Sequence, residues 1–488
     1  MDSKSTLKND KEKIFSGVLW KLGERFLAQG ISFVVSVLLA RLLLPDEYGI
    51  VAIVLIFMAF ADVFVVSGFS TSLIQKKDAD ETDFSTIFYC SLSVSILIYA
   101  VLFFTAPLIA DFFEQPLLIP LLRVFSLRLP VGAYNSIQHA YVSRNMIFKR
   151  FFFSTLGGTL ISGAAGIVMA YLGFGVWALV AQYLTNTVID TIVLCFTVPW
   201  RPRLKFSIKR AKILMSYGWK VFLADFSGTF FDQLRSLIIG KFYVESQLAY
   251  YNRGKQFSSI IADNINGAVT TVLFPAISNR NSNKDIVKNM LSKSVRVTSY
   301  IVTPLLFGCA AIAEQLVKVL LTDKWLECVP FMQILCLSSA IGLIGNVSLQ
   351  AIKAVGRSDI LLKLEIIKKP VYLLLLIIGV KISVVAVAVT MLIYSVYGTA
   401  VNACAIGKTI SYPIKSQLAD IAAPVFFSSA TAGAVFALGT LPIPDLPLLI
   451  LQLCVGIGIY LGLSVIFKPF AFKYLKDFLM QKFFHGKG

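Results

Sequence analysis

Fourteen apolar runs separated by short polar segments constrain this chain of 488 residues more than any other feature. Each is about twenty residues long, enough to cross the hydrocarbon core as a helix. A helix also satisfies its own backbone where no water is available. The runs fall at 14–39, 48–70, 84–110, 118–142, 151–171, 175–198, 213–240, 248–275, 294–317, 329–352, 360–380, 382–405, 421–440 and 446–467. The fold class expected is therefore an all-α polytopic membrane protein with fourteen transmembrane helices. The chain is 57% hydrophobic and only 15% charged, whereas a soluble domain is about half apolar and about a quarter charged.

The distribution of Lys and Arg sets the orientation. With the N-terminus in the cytoplasm, 31 of these residues fall in inner segments and 5 (Arg41, Lys241, Lys318, Lys324, Lys381) in outer ones. A wrong number of spans would scramble that alternation, so the positive-inside rule favours fourteen spans with both termini cytoplasmic. The net charge of +18 thus reads as membrane orientation, with no nucleic-acid partner. The densest inner segment is Pro199–Lys212, PWRPRLKFSIKRAK, with six cations. It is expected to rest on anionic phospholipid headgroups.

An internal repeat divides the chain. Ala40–Leu44 after the first run echoes Gly240–Val244 after the seventh, 200 residues later. Pro120 and Gly132 echo Pro330 and Gly342, 210 residues later. Six spans per unit put both units into the membrane from the same side, as parallel repeats. The organisation expected is an N-terminal lobe (1–198), a basic cytoplasmic connector (199–212), a C-terminal lobe (213–405), two further helices (421–467) and a basic cytoplasmic tail (468–488). The first run carries Glu24 and Arg25 and reads as a retained span, not a cleaved signal.

No enzyme constellation is present. There is no phosphate-binding loop and no HExxH. The seven cysteines form no CxxC pair, and the histidines are His139 and His485 alone. No cofactor or metal is expected, and the cysteines read as small hydrophobes. The chemistry lies instead in ionisable groups within spans, which are costly unless they face protein or water. The cations Arg25, Arg123, Arg128, Lys220, Arg235, Arg253 and Lys255 are candidate contacts for an anionic substrate such as a lipid pyrophosphate. Pairing with nearby acids is the alternative. Asp62, Asp225 and Asp232 are candidate sites for a coupling H⁺ or Na⁺. Gly158, Ser162 and Gly166, with Gly458 and Gly462, suit close helix packing. Tyr250, Tyr251 and Trp325 read as interfacial anchors.

The segments LLARLLLPDEYGIVAI (38–53), AFAD (59–62), GFSTSLIQKK (68–77) and LLTDKWLECVPFMQILC (320–336) resemble the polysaccharide flippases of the multidrug/oligosaccharidyl-lipid/polysaccharide exporter superfamily. The similarity is greatest to the colanic-acid-type lipopolysaccharide and exopolysaccharide exporters. The resemblance implies a bacterial inner-membrane protein with two six-helix lobes in a V around a central cavity. It implies alternating-access transfer of undecaprenyl-pyrophosphate-linked oligosaccharide repeat units from the cytoplasmic to the periplasmic leaflet. Energy would come from an ion gradient, and the partners implied include a polysaccharide polymerase and chain-length machinery. An ion-coupled multidrug exporter of the same superfamily is the alternative, and a membrane glycosyltransferase or polymerase a more distant one. Asp46–Gly49 and Lys324–Trp325 match signature positions whose role reads as fold.

Overall fold

A computed structural model describes residues 23, 27–67, 69–76, 78–278 and 284–484. Among them the regular elements are all helical. Residue contacts divide the chain into two units, 1–249 and 250–488.

The first unit contains α1 (Leu27–Leu42), α2 (Pro45–Val66), α3 (Phe69–Gln75), α4 (Glu81–Phe113), α5 (Leu118–Phe125), α6 (Arg128–Arg144), α7 (Lys149–Tyr171), α8 (Val176–Thr197) and α9 (Ile208–Phe242). The chain passes into the second unit within α10 (Glu245–Ser278). There follow α11 (Lys284–Ala311), α12 (Ala313–Leu321), a 3₁₀ turn (Asp323–Cys328), α13 (Val329–Ala354), α14 (Ser358–Val380), α15 (Val384–Ile410), α16 (Ile414–Leu438), α17 (Asp445–Phe467) and α18 (Phe470–Phe484).

The apolar runs fall on helix over most of their described length, and ten of the helical segments are long and apolar enough to cross a membrane. The other four runs differ for identifiable reasons. The first is described only at Gly23 and from Leu27 onward. The fourth is broken into α5 and α6. The helices α9 and α14 carry charge along their length, with Lys220, Asp225, Asp232 and Arg235 in one and Lys363, Glu365, Lys368 and Lys369 in the other. The basic tail is not an unstructured end but begins as α18.

Helix boundaries recur at the same spacings as the sequence echoes. α1 ends at Leu42 and α9 at Phe242, while α2 begins at Pro45 and α10 at Glu245, each 200 residues apart. α6 ends at Arg144 and α13 at Ala354, 210 apart. Contact and repeat divide the chain differently, because α9 packs on α2, α3 and α4 and is counted with them.

In the first unit, Phe84, Phe88, Ile137, Phe151, Leu194 and Trp200 form a core joining α4, α6, α7, α8 and the connector. α7 lies against α8 at close range. A Cβ on Gly158 would come within 3.3 Å of the Asn186 carbonyl, and one on Gly166 within 3.0 Å of Gln182. Gly458 and Gly462 differ from expectation, with nothing within 4 Å of a Cβ at either. Phe104 and Phe196 are 76% and 86% exposed, an inside-out distribution that suits lipid contact.

The first turn of α2 explains the Asp-Glu-Tyr-Gly motif. Pro45 opens the helix, and Glu47 Oε2 accepts the Leu44 N–H at 2.7 Å. Gly49 lies under the start of α10, where a Cβ would sit 2.0 Å from the Glu245 carbonyl oxygen. Trp325 and Tyr251 are fully buried rather than interfacial. The 3₁₀ turn folds Trp325 inward, beneath the Arg253 guanidinium at 4.9 Å and edge-on to Tyr250.

Prolines inside helices direct several tertiary hydrogen bonds. A proline leaves the carbonyl four residues earlier without its helical donor. Pro304 in α11 frees the Tyr300 carbonyl, and the Tyr460 hydroxyl of α17 donates to it at 2.8 Å. Tyr300 in turn donates to Ser464 at 2.8 Å. These bonds fasten α17 to α11, and α16 lies between through Thr303, Ser428 and the Pro424 carbonyl.

The connector's cations divide between protein partners and exposed positions. Arg201 donates to the carbonyls of Cys195, Val198 and Trp200, closing the end of α8. Arg203 pairs with Glu81 at 2.7 Å, and Arg210 pairs with Asp80 and Asp83. The Arg203 and Ser207 amides donate to Ser85 and Thr86. Three of the six cations are thus held by protein, chiefly the acidic first turn of α4. Lys205, Lys209 and Lys212 remain exposed.

Candidate functional site

A cavity of about 570 Å³ opens within the first unit between α2, α3, α6 and α8. Polar side chains gather in its wall although the helices around it are largely apolar. Hydroxyls come from Ser67, Ser70, Ser136, Ser143 and Thr187, amides from Asn135 and Asn186, and ionisable groups from Asp62, Arg128, His139 and Asp190. The break between α5 and α6 sets one part of this wall. It places Arg128 at the first position of α6, where a guanidinium nitrogen lies 2.5 Å from Asp62 Oδ2 on α2.

Further along α6, Asn135 Nδ2 donates to Asp190 Oδ2 at 2.7 Å and contacts Thr191 Oγ1 at 3.1 Å. His139 Nε2 is 3.1 Å from the same Asp190 oxygen. Its ring stacks on Phe151 of α7 at 4.6 Å. Asp190 Oδ1 is buried with no hydrogen-bond partner among the described residues. Asn186, one turn before Asp190, donates to Ser162 of α7 at 3.4 Å. Dense donors and acceptors on a concave wall suit a ligand that is itself rich in hydroxyls.

A second, apolar slot of about 200 Å³ adjoins it, lined by Phe64, Phe69, Val94, Met215, Trp219 and Phe222. Phe64 of α2 meets Phe222 of α9 at 4.8 Å between ring centroids. Ser67, in the break between α2 and α3, lines both spaces.

The structure separates the sequence-predicted residues. Arg128 and Asp62 meet in the polar cavity, where they bind each other. Arg123 does not reach it. Pro107 in α4 frees the Phe103 carbonyl, and Arg123 Nε donates there at 3.2 Å with its guanidinium 4.3 Å above the Phe103 ring. Arg253 is buried, bonded to Gln256 and stacked on Trp325. Arg235 is buried, Lys255 half-buried, and Lys220, Asp225 and Asp232 exposed. Arg25 lies outside the described residues.

Asn135, His139, Asn186 and Asp190 were not singled out from sequence as site residues. Their signal is spacing: polar pairs at i and i+4 on two spans put two side chains on one face of each helix.

A family model described as "Polysaccharide biosynthesis protein" matches residues 38–330. The chain is 25% identical over 342 residues to the succinoglycan biosynthesis transport protein ExoT of Rhizobium meliloti (strain 1021), covering 70% of this chain and 69% of that one. It is 23% identical over 440 residues to the lipopolysaccharide biosynthesis protein WzxC of Escherichia coli (strain K12), covering 88% of each. Its fold is similar to that of the lipid II flippase MurJ in an inward closed conformation. The TM-score is 0.74 at 17% identity, over 92% of this chain and 98% of that one.

Proposed function

The chain belongs to the polysaccharide biosynthesis protein family, and from that premise we propose that it transfers undecaprenyl-pyrophosphate-linked oligosaccharide repeat units from the cytoplasmic to the periplasmic leaflet for surface polysaccharide assembly. The observation that carries this reading is the polar cavity beside an apolar slot, with Ser67 in the wall of both. A lipid-linked saccharide has the same two-part character. Its sugars would take the hydroxyl and amide wall, and the first isoprenes beyond the phosphates the aromatic slot. The names of the relatives, a succinoglycan transport protein and a lipopolysaccharide biosynthesis protein, support the same class of cargo.

On this reading the remaining four apolar runs also cross the bacterial inner membrane, making fourteen spans with both termini cytoplasmic. The basic connector joins two six-helix lobes, and rocking of the lobes gives alternating access. Lys205, Lys209 and Lys212 meet anionic headgroups. An H⁺ or Na⁺ gradient supplies the energy, and a polysaccharide polymerase with its chain-length partners receives the product.

The test is complementation of a flippase-null strain with the wild-type chain and with Asn135→Ala, Asn186→Ala and Arg128→Gln. Restored surface polysaccharide with wild type and at least tenfold less with the cavity variants, at equal membrane abundance, is the outcome expected. Failure of the wild-type chain in every polysaccharide background, together with raised drug tolerance, would replace this reading with the multidrug exporter.

A further inference from the structure

We infer that His139 and Asp190 form a proton-binding pair in the wall of the polar cavity, and that its occupancy sets the cavity's net charge. The pair is a binding site in its own right; its link to transport rests on the function proposed above.

The argument starts from the charges that face the cavity. Asp62 and Arg128 lie 2.5 Å apart and cancel. Asp190 then leaves one uncompensated negative charge while His139 is neutral, and none once the imidazole is protonated. An isolated charge among apolar helices is costly, so this site gains by taking up one cation. Imidazole is the side chain whose charge ordinarily changes between pH 5 and 8, and His139 places one 3.1 Å from the carboxylate.

The groups around the pair keep the proton local. α3 contributes Ser70 and Ile74 to the cavity, without a charge. α4 meets α6 through Phe84 and Phe88, which pack on Tyr141 and Tyr134. The Tyr134 hydroxyl is engaged with Gln138 and Cys195. α7 presents Phe151 to the imidazole face; Lys149 and Arg150 precede it in the first turn of α7, and neither lines the cavity. On α6 itself, Arg144 is held by the carbonyls of Leu73 and Lys76. α2 contributes Asp62.

A proton fits better than Na⁺ because a hard cation takes oxygen ligands, and the two groups facing Asp190 Oδ2 are nitrogens, Asn135 Nδ2 at 2.7 Å and His139 Nε2 at 3.1 Å. Protonation would make Nε2–H a firm donor to Oδ2, where it shares the acceptor with Asn135. The same proton removes the negative charge that opposes an anionic cargo head in this cavity.

The chain's two histidines make the test direct. The full-length protein, purified through a histidine-free tag with His485→Gln, carries one imidazole for side-chain NMR in nanodiscs. The His139 resonances are expected to titrate in one step between pH 5 and 9. Asp190→Asn should weaken the proton affinity about tenfold. Asn135→Ala removes the competing donor and should tighten it, which keeps the test decisive if Asp190→Asn does not fold. Replacing Na⁺ by K⁺ should leave the titration in place. An imidazole that stays in one form across this range, or that titrates identically in all three proteins, would overturn the pair. A tenfold displacement by Na⁺ would assign the site to that ion instead. Titration with no transport would leave the pair standing and remove the proposed function; transport with no titration would do the reverse.

Discussion

Changing Arg123 to Met should destabilise the first unit without touching its cavity. Arg123 Nε donates to the Phe103 carbonyl at 3.2 Å, and its guanidinium lies over the Phe103 ring. That carbonyl lacks a helical donor because residue 107 is proline. Losing a hydrogen bond to a charged donor costs about 1.5–3 kcal/mol, and an unpaired carbonyl accounts for much of it. Loss of the cation–π contact adds about 0.5–1 kcal/mol. Arg123 is half-buried, so roughly 2–3 kcal/mol is the working figure. Pro107→Ala restores an N–H in helical register with Phe103 and so supplies the missing donor. A double-mutant cycle on Arg123→Met and Pro107→Ala, read by denaturant unfolding in detergent, should show a coupling of about 1 kcal/mol or more. Transport per folded molecule should stay near wild type. Additive effects, or Arg123→Met as stable as wild type, would refute the proline-freed carbonyl as the reason for this arginine. Lost transport at unchanged stability would return Arg123 to the substrate path.

Three further outcomes follow from the same geometry. Asp62→Asn and Arg128→Gln should each cost about 2 kcal/mol, and together less than their sum by about 1 kcal/mol, since either change alone strands a charge; unfolding of the four proteins measures this, and strict additivity would mean that the pair is not formed. Gly49→Ala should cost at least about 3 kcal/mol by overpacking, because a Cβ there lies 2.0 Å from the Glu245 carbonyl oxygen; a normal yield of folded protein in fluorescence-detected gel filtration would contradict that contact. Asp80 is held at about 2, chiefly by the hydrogen bond from Arg210. A depressed carboxylate contributes stability above its unfolded value near 4, lost as pH falls toward 2. Hydrogen exchange at the Thr82 and Asp83 amides should therefore rise across that window, and Arg210→Gln should move the rise toward pH 4.

The helices were legible because lipid-spanning segments announce themselves by length and apolarity, and the 200- and 210-residue echoes recur in the helix boundaries. The site was legible only in part. Arg128 and Asp62 are 66 residues apart, and neither the partnership nor the cavity they share has a local sign. Arg123 and Arg253 look like free cations in sequence because their partners, a proline-freed carbonyl and the Trp325 ring, carry no charge. Charge counting also could not separate connector arginines that bind Asp80, Glu81 and Asp83 from lysines that face outward. In sequence His139 reads only as one of two histidines without a partner, since only the fold brings it to Asp190. The i, i+4 spacing of Asn135 with His139, and of Asn186 with Asp190, was the available signal.

The most direct measurement reconstitutes the purified chain in proteoliposomes with an undecaprenyl-pyrophosphate-linked oligosaccharide in the inner leaflet and follows its exposure to an external glycosidase. Wild-type protein should bring the cargo out to near completion of the accessible pool, and Asn135→Ala with Asn186→Ala should slow this at least tenfold at equal reconstitution. Exposure no faster than in protein-free liposomes, with pH and Na⁺ gradients each imposed in turn, would contradict the assignment of this chain as the carrier.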